Sequence, residues 1–273
     1  MSFLNDINSG IFNRYWEYKR RQLKNMSTYK MIALDLDETV LTRNKEISTE
    51  NRKWIHRAYN EGVIVAIATG RGYKAVKDIY ESLGLDIPMV LANGAEIWGK
   101  SGQILKRLYI EKSDIRMLHD LAKNANLTFW GYSDNQHVPA KKWTEESFAL
   151  NFFKFAMRSD DPQMIHHLRK KLQDYETIKV TWSNTDLVEI SRKGVSKETG
   201  IKILCDHLGI NLSEVMAIGD NMNDIELIQA AGLGVAMGNA QPEVKAVADE
   251  TTDTNENDGV AKAIQKHVLV PES

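Results

Sequence analysis

Short apolar runs recur along the chain, each followed by a polar stretch with apolar residues at helical spacing. Met31 to Leu34 is the first run, ending in Asp35 and Asp37 with Thr39 behind them. Val63 to Ala68 (VIVAIA) stops at Thr69-Gly70-Arg71, and Pro88 to Leu91 ends at Asn93-Gly94. Continuous apolar runs of this length read as strands buried on both faces of a parallel sheet. Between them Asn51, Trp54, Ile55, Ala58 and Tyr59 follow Ser48 as a capped helix, closed by Glu61-Gly62. Ala75, Val76, Ile79, Tyr80 and Leu83 share one face of the next helix. Such alternation predicts a parallel sheet covered by helices.

The rhythm changes after Asn93. Ala95 to Trp98 and Gln103 to Tyr109 flank Gly99-Lys100-Ser101-Gly102 and predict a hairpin. Ser113 is expected to cap a helix carrying Ile115, Leu118, Leu121 and Ala122. Leu127 to Tyr132, Gln136 to Pro139, Thr177 to Trp182 and Leu187 to Ser191 read as strands, the last two around Ser183-Asn184. A helix follows Asp161-Pro162, whereas residues 140 to 158 are aromatic-rich and resist assignment. Hairpins with helices on one face spell an α+β module. The first pattern resumes with a helix from Lys197 to Leu208, strands at Val215 to Ile218 and Leu233 to Ala236, and helices around Ile225, after Pro242 and after Gly259. The expected division is a core of residues 30 to 92 and 191 to 273, with an inserted cap over 93 to 190. The fold class is α/β, a doubly wound parallel sheet carrying an α+β cap.

Composition narrows the classes of function. Hydrophobic residues make up 42% and charged residues 26% of 273, which is ordinary for a soluble globular protein. The net charge of −2 offers nothing to nucleic acid or to an anionic membrane. No apolar run approaches the roughly 20 residues that cross a bilayer. The single cysteine, Cys205, excludes an intrachain disulfide and fits a reducing cytoplasm. It sits at helical spacing with Ile201, Leu204 and Leu208, as a buried core thiol would.

Residues 1 to 29 form an N-terminal arm of different character. Phe3, Leu4, Ile7, Ile11, Phe12, Tyr15 and Trp16 recur at helical spacing before a basic run of Lys19, Arg20, Arg21 and Lys24. This is expected to be a helix packed on its own domain or a stretch upstream of the native start, with Met26 placed as that start. The alternative is an amphipathic arm that docks on a partner or a membrane surface.

Two carboxylates two residues apart at a strand end crowd like charges, which resist ionising together. Asp35 and Asp37 are therefore either a plain acidic turn or a site built around a cation. Ligands of parallel sheets bind at the carboxyl ends of strands. Four segments converge on that edge: Asp35-Leu36-Asp37, Thr69-Gly70, Lys197, and Asp220 with Asn223-Asp224. Phosphoryl transfer asks for these residue types: carboxylate oxygens for Mg²⁺, a carboxylate able to attack phosphorus, a second acid for proton traffic, a hydroxyl and N–H groups for the phosphate, and one lysine for its charge.

In DLDETVL (35 to 41), IATGR (67 to 71), GVSKETGI (194 to 201) and IGDNMNDIELI (218 to 228), the chain resembles the haloacid dehalogenase superfamily of phosphatases, and within it the Cof-like hydrolases. The resemblance covers about residues 30 to 270. It implies Asp35 as nucleophile and metal ligand, and Asp37 as general acid and base with its backbone carbonyl on the metal. It implies Thr69, Gly70, the Leu36 N–H and Asn223 as phosphate-binding, and Lys197 as neutralising phosphate and orienting Asp35. Asp220 would ligate Mg²⁺, with Asp224 supporting that site.

Glu38 and Glu198 depart from the family pattern, which has glycine or aspartate at the first position and glycine at the second. The resemblance implies a Mg²⁺-dependent phosphatase of small phosphorylated metabolites acting through an aspartyl-phosphate, in the cytoplasm. A sugar-phosphate mutase and a non-catalytic metabolite-binding regulator are the alternatives. Trp130, Tyr132, Trp143, Phe148, Phe152, Phe153 and Phe155 make the cap aromatic. Most are expected in its core and one or two at the substrate; a sugar phosphate is the leading expectation, and a ring-bearing phosphate such as pyridoxal phosphate or a flavin nucleotide, which aromatic surface would suit, is the alternative. Arg71 is read either as a phosphate clamp or as the partner of a neighbouring acid, and Asn93-Gly94 as a turn between domains.

Overall fold

The apolar runs become strands in the computed structural model, which describes residues 29–134, 136–181 and 185–268. In chain order the first elements are β1 (Met31–Leu34), α1 (Thr49–Asn60), β2 (Ile64–Ala68), α2 (Tyr73–Leu83), β3 (Met89–Leu91), β4 (Glu96–Trp98) and β5 (Ile104–Arg107). Next come α3 (Lys112–Asn124), β6 (Thr128–Ser133), β7 (His137–Pro139), β8 (Phe152–Arg158), α4 (Pro162–Gln173), β9 (Ile178–Thr181) and β10 (Leu187–Arg192). The chain closes with α5 (Lys197–Leu208), β11 (Val215–Gly219), α6 (Ile225–Ala230), β12 (Leu233–Ala236), α7 (Pro242–Val247), β13 (Glu250–Thr251) and α8 (Gly259–His267).

Eight strands form one sheet in the order β13-β12-β11-β1-β2-β3-β4-β5. The six from β13 to β3 are parallel, and β4 and β5 are antiparallel additions. From β1 the chain first builds outward through β2 and β3, then returns to the other side of β1 through β11. That reversal puts a switch point between β1 and β11, where α/β sheets bind ligands.

Alternation along each strand feeds two apolar layers. Ile32, Leu34, Val65, Ile67 and Ile218 face one layer with Ile55 of α1 and Ile264 of α8. Met31, Ala33, Ala66 and Ala217 face the other with Ile201, Leu204 and Cys205 of α5. Cys205 is the expected core thiol, and burial pushes its pKa up to about 11. Fully burying an aliphatic side chain of this kind contributes about 1.5–3 kcal/mol. Among the described residues no helix is long and apolar enough to cross a membrane.

The second sheet is antiparallel, in the order β7-β6-β8-β10-β9. Its buried face, with Phe129, Phe155, Val188 and Ile190, packs under Ile115 and Leu118 of α3 and Ile165 and Leu168 of α4.

Three expectations need correction. The hairpin β4–β5, assigned to the cap by the division at residue 93, extends the first sheet, because β4 pairs with β3. The helix credited to a Ser113 cap starts at Lys112 after Glu111, which makes no side-chain cap bond. Within residues 140 to 158, β8 is the middle strand of the second sheet. Its burial runs through Phe152, Phe153, Phe155, Ala156 and Met157, so the period-two signal of a strand is absent. The N-terminal arm up to residue 28 and the turn at Ser183-Asn184 lie outside the described residues.

Candidate active site

Asp35 follows the last residue of β1 and Asp220 the last of β11, the two strands flanking the switch point. Asp35 is 6% exposed and Asp220 8%. Asp224 stands one short turn further on and folds back, accepting the backbone N–H groups of Asp220 and Asn221 at 3.1 Å each. Gly219 permits this, since a Cβ there would lie 2.4 Å from the Asp224 carboxyl carbon. Lys197 opens α5 behind its N-cap Ser196. Its ammonium, fully shut from water, reaches Asp35 Oδ1 at 2.6 Å and Asp224 Oδ1 at 2.5 Å. Gly94 sets the seat of that helix: its φ is +100°, and a Cβ would meet the Ser196 carbonyl at 1.9 Å.

Two carboxylates thus share one ammonium, and a third, that of Asp220, stands close by. Ligand oxygens of Asp35, Asp220 and Asp224 lie within 4.8 Å of one another. Burial raises the Asp35 pKa to about 7, with Lys197 opposing and Asp224 and Asp220 adding to the rise. Burial and the Asp224 charge raise Asp220 to about 6, against the hydroxyl of Thr39, which donates to it at 3.0 Å. Burial acts to lower the Lys197 pKa, but Asp224 and Asp35 outweigh it and raise it. The donors are all hard oxygens with surplus negative charge, which is what a divalent cation such as Mg²⁺ prefers. The residues present therefore fit such an ion.

Asp37 is placed differently. Arg71 forks onto it, Nε donating to Oδ2 at 2.7 Å and Nη2 to Oδ1 at 2.6 Å, and Lys45 donates to Oδ1 at 3.1 Å. The Arg71 hydrogen bonds, helped by Lys45, hold its carboxyl below the usual carboxylate range despite partial burial. Of the two readings of Arg71, the structure has the ion pair with a neighbouring acid. The Asp37 carboxylate lies outside the three-carboxylate cluster, which leaves only its backbone carbonyl for the cation role implied by the resemblance.

At the end of β2 the buried Thr69 presents a hydroxyl that accepts from the Arg71 N–H at 3.3 Å. A Cβ on Gly70 would stand 3.1 Å from Asn93 Oδ1. That same oxygen accepts from Asn223 Nδ2 at 2.9 Å, so Asn93 ties the end of β3 to the Asp220–Asp224 loop. Leu36 is fully buried between the two leading aspartates. Glu38 has φ +58°, the left-handed region in which glycine is at ease, and its carbonyl accepts from Asn239 Nδ2. Its carboxylate faces Lys45 and Asn255 and is not one of the three clustered carboxylates. Glu198 lines a separate cavity where α5 meets the second sheet.

All nine residues singled out from the sequence lie on this edge. Asp35, Asp37, Thr69, Gly70, Asp220 and Asn223 line one cavity of about 250 Å³. Arg71 and Asn93 join them, as do Lys154 of β8 and Glu189 of β10 from the second sheet. Lys45, Lys154 and Glu189 went unnoticed in the sequence because no motif surrounds them. The left-handed φ of +56° at Asn93 is the one local signal that its Asn-Gly pair carried.

A family model described as haloacid dehalogenase-like hydrolase matches residues 32–161 and 135–264. The chain is 38% identical to the 5-amino-6-(5-phospho-D-ribitylamino)uracil phosphatase YcsE of Bacillus subtilis, over 88% of this chain and 96% of that protein. It is 29% identical to the pyridoxal phosphate phosphatase YbhA of Escherichia coli, over 89% of this chain and all of that one. Among solved structures, a haloacid dehalogenase-like hydrolase from Bacteroides thetaiotaomicron superposes with a TM-score of 0.76 at 28% identity. That match covers 87% of this chain and 99% of the other.

Proposed function

This chain belongs to the haloacid dehalogenase-like hydrolases and is a phosphoric monoester hydrolase, and from that membership we propose a Mg²⁺-dependent phosphatase of small phosphorylated metabolites that works through an aspartyl-phosphate. The observation that carries the proposal is the buried Asp35 carboxylate, 2.6 Å from Lys197, at the floor of a cavity whose rim supplies Thr69, Gly70 and Asn223. Asp35, Asp220 and Asp224, with the Asp37 backbone carbonyl, would hold the Mg²⁺. Its chemistry there is to neutralise phosphate charge.

An oxygen of Asp35 attacks phosphorus as the ester P–O bond breaks, and Asp37 gives its proton to the departing alkoxide. Water then attacks the same phosphorus, its proton passing to Asp37 while the bond to Asp35 breaks and inorganic phosphate leaves. Thr69 Oγ1, the N–H groups of Leu36 and Gly70, and Asn223 hold the transferring oxygens. Lys197 orients Asp35. The Arg71 fork suits Asp37 to the second, proton-accepting half of the cycle. For the first half, a substrate phosphate competing for Arg71 frees the carboxyl to carry its proton.

The substrate class is drawn from the lining, which among the described residues is polar and carries no aromatic side chain. Hydroxyl-bearing carbon next to the phosphate suits such walls, as in sugar phosphates and in the ribityl chain named for the Bacillus subtilis relative. The test is release of inorganic phosphate from para-nitrophenyl phosphate with Mg²⁺. Asp35→Asn should lower kcat by roughly a thousandfold or more. Equal rates in the two proteins would end the proposal, and isomerised ester without free phosphate would favour a mutase.

A further inference from the structure

The chain crosses between the two sheets twice, and the two crossings pack on each other. Leu108 and Tyr109 of the outward crossing lie against Ala95, Phe153 and Val195, the last of these on the return. The return is short. β10 ends at Arg192 and α5 begins at Lys197, with a turn at Gly194, whose φ is +75°. Val195 and Ser196 are buried behind that turn, so movement of one sheet against the other is confined to few bonds.

A cavity of about 360 Å³ opens beside the return, and it shares no lining residue with the one that holds Asp35. The cap contributes Gln173 at the end of α4 and Ile178 to Val180 of β9. The core contributes Glu198 and Thr199 from the first turn of α5 and Glu226 of α6. Lys193 and Val195 of the crossing complete the wall. Both domains therefore line the cavity, and its width depends on how the cap sits. The volume is at the small end of the range for ligand sites, about 300–1,000 Å³.

Two of its charges already serve each other. The Lys179 ammonium, from the cap, is 2.6 Å from the Glu226 carboxylate of the core. Among the described residues Lys193 and Glu198 have no ion-pair partner. The glycine of the family pattern at position 198 would offer no such carboxylate. A dianion such as phosphate would share the space with two carboxylates, and a metal cation with two ammonium groups. A ligand with one charge of each sign meets both free groups and leaves the Lys179–Glu226 bridge closed. Ile178, Val180 and Val195 ask in addition for an apolar body.

We propose that this cavity is a second ligand site, that of a free α-amino acid with an aliphatic side chain. The ligand's carboxylate pairs with Lys193, its ammonium with Glu198, and its side chain packs on Ile178 and Val180. Lys154 and Glu189 of the cap line the catalytic cavity in this same arrangement. A ligand that fits the second cavity as it stands therefore stabilises the cap over the catalytic edge and tightens substrate binding. The binding stands apart from the phosphatase reading, and its effect on turnover rests on that reading.

The experiment titrates the full chain with L-leucine by calorimetry. Beside it are 4-methylpentanoate, which lacks the ammonium, and 3-methylbutylamine, which lacks the carboxylate. L-Leucine should bind with a Kd of about 0.1–1 mM. Each one-ended compound should bind about fivefold more weakly, as should L-leucine to Lys193→Met or Glu198→Gln, whereas Lys193→Arg should keep its affinity. With para-nitrophenyl phosphate and Mg²⁺, saturating L-leucine should lower the KM of wild type about fivefold. Glu198→Gln should need about fivefold more L-leucine for the same effect. No binding up to about 10 mM, equal binding of the three compounds, or binding that neither variant weakens overturns the site. A KM that L-leucine leaves alone or raises overturns the link to the cap. If wild type turns over no ester, the phosphatase reading fails instead, and calorimetry still decides the site.

Discussion

On the core side of the cavity, Asp35, Asp220, Asp224 and Lys197 are packed together and shut away from water. On the cap side, an ion pair about four-fifths buried and a tyrosine that is 44% exposed stand on the sheet face turned away from α3 and α4. The core groups come from the ends of two strands and the start of two helical turns, each anchored in a buried layer. The cap groups come from the middle of strands whose other face is the buried one. Strand ends concentrate charge at a point, where small displacements are costly. A sheet face spreads contacts over an area, and its residues can change without disturbing the layer beneath. One arrangement suits a reaction that stays the same, the other a substrate that varies.

The largest effect is expected from Lys197→Met. It leaves Asp35 and Asp224 buried without their shared cation, so urea denaturation should show a loss of about 3–5 kcal/mol. kcat should fall by at least roughly a hundredfold. A loss under about 1 kcal/mol would mean the core side is as forgiving as the cap's outward sheet face.

Phe155→Ala removes a fully buried ring from the cap's apolar layer and should cost about 3–5 kcal/mol. It should leave Mg²⁺ affinity, measured by calorimetry, within about twofold, because the carboxylate cluster found among the described residues is made of Asp35, Asp220 and Asp224 of the core. A large change in affinity would break the division between the two sides.

Acidity sharpens the contrast next. Asp35 and Asp220 have pKa values raised to about 7 and about 6. A raised acid contributes stability that is fully present below its unfolded value near 3.8 and is lost as pH climbs through the folded value. Without metal, this contribution should therefore fade between about pH 4 and 7. Mg²⁺ binds the ionised form, so its affinity should rise over the upper part of the same window. The rise in Tm on adding Mg²⁺ should be larger at about pH 8 than at about pH 5, read by differential scanning calorimetry. A pH-independent shift would mean that the cluster is already ionised in the absence of metal.

Lys179→Ala is expected to do least. Its bridge to Glu226 is exposed on both sides, so stability should change by less than about 1 kcal/mol. A shift in KM with kcat unchanged would show that this bridge helps set the cap over the cavity.

The reaction side was legible in the sequence because its residues sit where periodicity breaks. Asp35 ends one apolar run, Thr69 another, and Asp220 a third, while Lys197 opens a helix behind a capping serine. The positive φ at Glu38 was hidden, since nothing in its neighbours announces a left-handed residue. The Arg71–Asp37 fork was one of two open readings until the geometry chose it. The β8 strand was unreadable because both its faces are buried in a short antiparallel sheet, which mimics the pattern of any apolar run.

By itself, the chain determined the order of buried strands, the chemistry gathered at their ends and the family it belongs to, because these depend on local period and on residue type. Only the tertiary structure decided which cap residues meet the catalytic edge. Lys154 and Glu189 are 35 positions apart, on strands that neighbour each other only once the second sheet has formed. Strand pairing between distant segments leaves no mark in the sequence on either side, since any half-buried strand has an outward face. The selection of one such face over the active site is made by where the two sheets come to rest.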